Sequence, residues 1–190
     1  MQLPDENNFS IEKLLAAIET AAKLVNEKYL NVITSSENSL IVRERVFCYE
    51  LYHQIRKILE DDHFLTLNGE IDKHGHKKFK QIEQKNPDFV FHVQGNDQTN
   101  AIIMEVKGTL EKKGLKKDFE TIHNFISEHQ YHAGVFFLYN HSLKELAYKM
   151  KNTLTSFSDS NYSKQIFIIS LPKSGFLEKS IRLSELKDIK

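Results

Sequence analysis

The run Ala133–Tyr139 is the feature that most constrains the fold of this chain. Its seven consecutive residues, AGVFFLY, carry no charge and no amide side chain. Continuous apolar runs of this length are typical of strands in a parallel sheet that helices cover on both faces. A helix is predicted next, from Ser142 to about Ser156, and then a strand at Gln165–Leu171. This half of the chain therefore predicts an α/β fold.

Three further strands are predicted upstream with no helix between them. They lie at Phe64–Leu67, Phe89–Val93 and Ala101–Lys107. A continuation of the first strand past Gly69 to Ile71 is left open. Gly95-Asn96-Asp97 has the residues of a hairpin turn, so the second and third strands are expected to pair antiparallel. Consecutive strands followed by alternating helices and strands predict a mixed β-sheet flanked by helices.

The remaining segments predict helices and a polar tail. Two helices precede the strands, one from Ser10 to about Asn31 and one from about Leu40 to Glu60, and a third ends near Glu128 after starting at Lys113 or Leu115. The first is interpreted as an N-terminal extension, residues 1–38, before a single globular domain at residues 39–190. The tail beyond Lys173 is expected to dock through Phe176, Leu177, Ile181, Leu183 and Leu186.

Charge and cysteine usage bound the function. The 26 basic and 26 acidic residues cancel, which removes the simplest electrostatic argument for binding to nucleic acid or membranes. The single cysteine, Cys48, lies in an apolar run and is expected to be buried. Neither a secretory signal nor an apolar stretch of membrane-spanning length is found, so we expect a cytoplasmic protein with no membrane partner.

The lysines are nevertheless unevenly distributed. Two clusters stand out, one composed of Lys73, Lys77, Lys78 and Lys80, and the other of Lys112, Lys113, Lys116 and Lys117. Lysines suit phosphate contacts, which give salt-dependent binding with little sequence preference. Both clusters are candidate nucleic-acid contacts; the alternative is two solvated lysine-rich segments.

Two acids and a lysine are expected to meet at one end of the predicted hairpin. Asp88 begins one strand, while Glu105 and Lys107 end the next and project from the same face because they are two residues apart. Two nearby carboxylates and the backbone carbonyl of Val106 are oxygen ligands suited to Mg²⁺, with Mn²⁺ as a substitute. A bound Mg²⁺ would activate water, and Lys107 would stabilise the charge that develops on a phosphate. The alternative is a turn aspartate and a surface Glu–Lys pair.

The pattern Pro87-Asp88, sixteen residues, Glu105-Val106-Lys107 resembles the PD-(D/E)XK superfamily of restriction-endonuclease-like nucleases. In that superfamily, an acid on a preceding helix often reaches the metal. Glu44 fits that position, since it shares a helix face with Cys48, Leu51 and Ile55, and Glu50 is the alternative.

The resemblance extends to bacterial and phage restriction-endonuclease-like proteins of unassigned role. It adds Glu70 as a weaker metal ligand, on a strand where Gly69-Glu70-Ile71-Asp72 departs from the expected Glu-aromatic-Asn. It also adds His92, four residues after Asp88, as a substrate contact or a residue that merely fills the sheet. An aspartate on the helix after the lysine matches Asp118.

The resemblance implies a restriction-endonuclease-like fold and a Mg²⁺-dependent endo- or exodeoxyribonuclease. Asp88 and Glu105 would bind the metal, Lys107 would assist the water, and Glu44 would belong to the catalytic site, either as a direct metal ligand or in contact with one. The expected substrate is DNA, preferably double-stranded, in phage defence or the processing of mobile-element DNA. A homodimer or a larger defence complex is an open alternative for partners. A non-catalytic nucleic-acid-binding or assembly module and a nuclease acting on RNA are the rival functions.

Overall fold

The computed structural model describes residues 10–33, 39–59, 64–69, 86–94, 99–151, 157 and 160–189. The helices are α1 (Ile11–Leu24), α2 (Glu27–Leu30), α3 (Glu44–Leu59), α4 (Lys112–His129) and α5 (Leu143–Met150), with a C-terminal 3₁₀ helix at Leu183–Asp188. The strands are β1 (Val32–Ile33), β2 (Leu40–Ile41), β3 (Thr66–Gly69), β4 (Phe89–His92), β5 (Asn100–Lys107), β6 (Ala133–Tyr139), β7 (Ile166–Leu171) and β8 (Ile181–Arg182).

The central element is a mixed six-stranded sheet with the order β3-β4-β5-β6-β7-β8. Strands β3, β4 and β5 pair antiparallel, whereas β5, β6 and β7 run parallel. β8 adds an antiparallel edge that was not predicted, because a strand of two residues is too short to show an alternating pattern. All seven residues of β6 are buried, as their apolar character predicts. The prediction of a mixed sheet flanked by helices is confirmed.

Helices cover both faces of this sheet. On one face, α1 and α3 pack against side chains that include Met104 and Val106 of β5. On the other face, α4 and α5 pack against side chains that include Ile103 of β5 and Phe136 of β6. Successive residues of a strand point to opposite faces, so β5 contributes alternate side chains to the two cores. The N-terminal helix α1 belongs to the first core, since Ile18, Ala21 and Ala22 are completely buried.

The predicted first helix is interrupted, and the second begins later than predicted. α1 ends at Leu24 because Asn26 caps a separate short helix, its side-chain oxygen accepting from the Lys28 N–H at 3.2 Å. Leu40 and Ile41 pair with β1 as a two-stranded ribbon, so α3 starts only at Glu44.

The tail docks as predicted, with one exception. Leu183 and Leu186 are buried against the α4 and α5 face, whereas Phe176 is 51% exposed, so its predicted docking role is wrong. The Lys173 ammonium instead lies over the Phe176 ring, 5.5 Å from its centroid.

Cys48 is buried, as predicted. Within the described ranges, none of the helices combines the length and hydrophobicity needed to cross a membrane.

Candidate active site

The first part of the site lies at the start of β4 and the end of β5. The pairing of Phe89 with Met104, continued by one residue, places Asp88 opposite Glu105. Asp88 Oδ2 accepts a hydrogen bond from the Val106 backbone N–H at 2.7 Å, and a side-chain hydrogen bond joins Asp88 to Glu105. The hairpin pairing therefore brings the two predicted acids into contact.

The alternation along β5 sorts the site residues by face. Val106 is buried in the core beneath α1 and α3. Glu105 and Lys107 project to the opposite face, the one that α4 covers, because they flank Val106 in the same strand. Only 7% of Glu105 is exposed, so its carboxyl group is largely shielded from water at the end of the sheet.

Lys107 lies between two carboxylates from different helices. Its Nζ is 3.2 Å from Glu44 Oε2 and 3.2 Å from Asp118 Oδ2. Glu44 is the first residue of α3, so it reaches Lys107 from the other face by passing the end of β5. There its second oxygen accepts from the Gly108 backbone N–H at 3.4 Å. Together with Asp88 and Glu105, four carboxyl groups of the described residues thus lie in this region, and two of them contact the ammonium of Lys107.

This excess of acids changes the proton affinities of the site. Burial is the main cause that raises the pKa of Asp88 to about 6. The hydrogen bond from the Val106 N–H lowers this pKa, whereas the nearby charges of Glu44 and Asp118 raise it further. Burial and the charge of Asp88 raise the pKa of Glu105 well above its usual value. Without a cation, the pair therefore retains a proton to a higher pH than ordinary carboxyl groups.

Two further pKa values reflect the same crowding. Burial disfavours the charged form of Lys107, but the charges of Asp118 and Glu44 outweigh it and raise its pKa. Burial raises the pKa of Asp118, and the charge of Lys107 offsets this only in part. The ammonium of Lys107 thus remains charged and compensates only part of the surrounding negative charge.

The oxygen atoms of the site suit a hard cation, but they supply only part of its coordination shell. Within the residues that the structure describes, no three His, Cys, Asp or Glu side chains are arranged to hold one ion. Asp88 and Glu105 instead offer two carboxyl groups, and the N–H of Val106 points to Asp88. The N–H and C=O of a strand residue point to the same neighbouring strand, so the Val106 carbonyl oxygen faces this region too. Mg²⁺ is commonly bound by one or two carboxylates and several waters.

One of the two lysine clusters lies on α4, within the described residues. Lys112, Lys113, Lys116 and Lys117 are exposed on the first turns of α4. That helix has no acid in its first turn, although acids stabilise this end of a helix and lysines do not. Its Gly114 lies against Lys107: a Cβ there would be 3.7 Å from Lys107 Cε. Glu70 and the other cluster, Lys73, Lys77, Lys78 and Lys80, lie outside the described residues.

His92 and Glu50 have other partners. His92 Nε2 lies 2.8 Å from Asn68 Oδ1 on β3. The pairing of β4 with β5 shifts between Phe91 and His92, so the regular alternation that would align His92 with Asp88 does not hold against β5. Glu50 accepts a hydrogen bond from the buried Gln54 side chain at 2.7 Å.

The contact of Asp118 with Lys107 was not foreseen. Its sequence signal is an acid within an apolar helix face, because Leu115, Phe119 and Ile122 lie close to it along α4 and are completely buried.

Nearby, the Tyr139 hydroxyl is buried without a hydrogen-bond partner in the described part of the chain. The ring of Tyr139 stacks on Phe47 of α3 with centroids 4.0 Å apart, and burial raises the pKa of its hydroxyl.

Comparisons with known proteins add no assignment. No protein-family model, no curated protein and no solved structure matches this chain at a significant level. The mixed α/β fold and the geometry of the carboxylate–lysine site are therefore the basis for any functional conclusion.

Proposed function

We propose that this protein is a metal-dependent nuclease of restriction-endonuclease-like fold that hydrolyses phosphodiester bonds in DNA. The setting that we propose is defence against foreign DNA or the processing of mobile-element DNA. The observation that carries the proposal is the pairing of Asp88 with Glu105, with Lys107 two residues further on and on the same face as Glu105.

The excess of acids supports a cation at this place. Four carboxyl groups of the described residues influence one another electrostatically, those of Asp88, Glu105, Glu44 and Asp118, and Lys107 forms ion pairs with the last two. Carboxyl groups this close cannot all ionise cheaply in a buried setting, which the raised pKa values of Asp88 and Glu105 express. Sites that raise pKa values by burial and like charge are frequently functional, and a divalent cation would relieve this repulsion.

The fold supports the choice of nuclease class. An antiparallel hairpin carries the acids, and β5 continues through α4 into the parallel strand β6. This arrangement agrees with the expectation that the Pro87-Asp88 and Glu105-Val106-Lys107 pattern raises. Comparable support for a nucleic-acid substrate comes from the four exposed lysines on α4, whose first turn adjoins Lys107.

The residues divide the chemical work in the proposed reaction. Asp88, Glu105 and the Val106 carbonyl would hold a Mg²⁺ ion, which when bound supplies positive charge at the phosphate and makes an attacking water more acidic. Lys107 would orient that water and stabilise the extra negative charge on the phosphate oxygens. Glu44 would accept a hydrogen bond from the water or from Lys107, because its carboxylate is the more exposed of the lysine's two partners.

A cleavage assay tests this proposal directly. Plasmid DNA, linear DNA and RNA are incubated with the protein in Mg²⁺, in Mn²⁺ and in a chelator. The wild type should cleave DNA only with metal, while Asp88→Asn, Glu105→Gln and Lys107→Met should lose at least about 100-fold of the rate, as loss of a principal electrostatic group does. Lys149→Met, an exposed change on α5, is the matched control.

Each other outcome has a definite meaning. No metal-dependent cleavage of any nucleic acid by the wild type, at several salt concentrations, would contradict the nuclease and favour a non-catalytic module. Cleavage of RNA alone would correct the substrate. Full activity in the three variants would show that any observed cleavage comes from a contaminant or from another site.

A further inference from the structure

The ammonium of Lys107 is shared between carboxylates that approach from opposite sides of the sheet. Asp118 belongs to α4, which covers the face on which Lys107 lies, and Glu44 belongs to α3, which packs on the other face. Both oxygens are 3.2 Å from Nζ, but the contact with Glu44 has hydrogen-bond geometry, whereas Asp118 Oδ2 meets the ammonium as a buried ion pair. The two carboxylates also differ in their surroundings.

Asp118 is the more firmly held of the two. Its side chain is 9% exposed, compared with 36% for Glu44. It lies in the second turn of an 18-residue helix, between Leu115 and Phe119, which are completely buried. Its carboxylate is therefore enclosed between α4 and the sheet, where close packing leaves it little room to change rotamer.

Glu44 is placed for exchange instead. It is the first residue of α3, and its carboxylate is divided between Lys107 and the long 3.4 Å contact with the Gly108 N–H. A side chain that is 36% exposed at a helix end can change rotamer at little cost. Glu44 can therefore turn towards a cation or a water, whereas the side chain of Asp118, which is 9% exposed, has less room to leave Lys107.

We propose that Asp118 is a positioning residue that holds the Lys107 ammonium on the α4 face of β5, beside Glu105, while Glu44 exchanges partners. This inference rests on the proposed function, because the position of Lys107 matters for the attack on a phosphate. The first turn of α4 adjoins the lysine stem at Gly114, where a Cβ would lie at an ordinary contact distance of 3.7 Å from Lys107 Cε.

The position of the ammonium can be measured without any activity. In ¹⁵N-labelled protein, a lysine ammonium that is fixed by carboxylates gives a resolved, slowly exchanging signal, which Lys107→Met assigns. We expect this signal in the wild type and in Glu44→Gln, and we expect its loss in Asp118→Asn. Asp118→Glu keeps the charge and therefore should keep a signal at a shifted position, which also covers the case in which the asparagine variant does not fold.

The kinetic test follows the same variants in the Mg²⁺-dependent cleavage assay. Asp118→Asn should lower kcat by about 10- to 100-fold through misplacement of the ammonium, with KM for DNA and the Mg²⁺ concentration for half-maximal activity unchanged. Asp118→Glu should recover part of the loss. Glu128→Gln, an acid near the far end of α4, is the control.

The outcomes separate this inference from the function on which it rests. If Asp118→Asn keeps the ammonium signal and Glu44→Gln loses it, Glu44 is the anchor and the inference is overturned. If the asparagine variant loses the signal but retains full kcat in an active enzyme, the positioning role is equally overturned. If the wild type cleaves nothing, the proposed function fails, and the ammonium signal alone decides whether Asp118 holds Lys107.

Discussion

Replacement of Asp88 by asparagine should stabilise the metal-free protein at neutral pH. The side chain of asparagine has the same shape, and its oxygen can still accept from the Val106 N–H, which Asp88 Oδ2 contacts at 2.7 Å. Its amide group can donate permanently to Glu105, where the wild type needs a retained proton. The substitution therefore removes a charge while preserving the local geometry.

The magnitude follows from the pKa of Asp88. Burial, aided by neighbouring acids, raises it from 3.8 to about 6. At about 1.4 kcal/mol per pKa unit, ionisation in the folded protein costs about 3 kcal/mol relative to the unfolded chain. A raised carboxyl pKa means that the folded state binds more protons than the unfolded chain. The carboxyl group of Asp88 therefore contributes its full stabilisation to the folded state below pH 3.8, and this stabilisation is lost as the pH rises to about 6. The raised pKa of Glu105 acts in the same direction.

Urea unfolding in a chelator, repeated across this pH range, measures the effect. We expect Asp88→Asn to equal the wild type near the acidic limit and to exceed it by up to about 3 kcal/mol above pH 7, where the wild-type carboxyl is ionised. Added Mg²⁺ should stabilise the wild type and not the variant, because only the wild type offers both carboxylates. The exposed Asp188→Asn serves as the control.

Two results would refute this reasoning. An asparagine variant that is less stable than the wild type at neutral pH would mean that Asp88 is ionised without cost in the folded protein. A difference that stays constant with pH would mean that the carboxyl pair does not retain a proton. Either result would remove the electrostatic argument for a cation at this site.

Two other predictions concern the surroundings of the site. Glutamine in place of the four α4 lysines should weaken DNA binding, as measured by fluorescence anisotropy. The plot of log binding constant against log salt concentration should become shallower by about 0.9 for each phosphate that the protein no longer neutralises. An equal change after replacing Lys144, Lys149, Lys164 and Lys179 would argue that only total charge matters. Gly108→Ala should cost about 1–3 kcal/mol in denaturant unfolding, because its Cβ would overlap Tyr139 and Val42. Gly114→Ala, with its nearest contact at 3.7 Å, is the matched control and should be neutral or mildly stabilising. A fully stable Gly108→Ala protein would contradict the close packing around that glycine.

Local patterns in the sequence predict much of the sheet and the central pair of acids. The apolar run of β6 indicates burial on both faces, and the two-residue spacing of Glu105 and Lys107 puts them on one face. The antiparallel pairing of β4 with β5 then brings Asp88 opposite Glu105, while the predicted turn residues Gly95-Asn96-Asp97 lie outside the described residues. These inferences succeed because each depends on the period of a strand or on the pairing of two strands that follow each other closely in the chain.

Element boundaries near the N-terminus were harder to predict. Apolar residues at helical spacing run through Val25, and only the capping geometry of Asn26 ends α1 at Leu24. Leu40 and Ile41 are compatible with the start of a helix, and they form a strand because β1 is available to pair with them. The choice depends on a partner elsewhere in the chain, so local propensity does not decide it.

The sequence by itself determined the mixed α/β character of this protein, the buried strand β6 and the placement of Asp88, Glu105 and Lys107 at one end of a hairpin. Only the tertiary structure decided which helix acids meet Lys107. Glu44 and Asp118 lie 74 positions apart in the chain and approach the lysine from opposite faces of the sheet. Their meeting depends on how α3 and α4 are rotated and packed, and that packing is the sum of many apolar contacts that no short sequence pattern encodes.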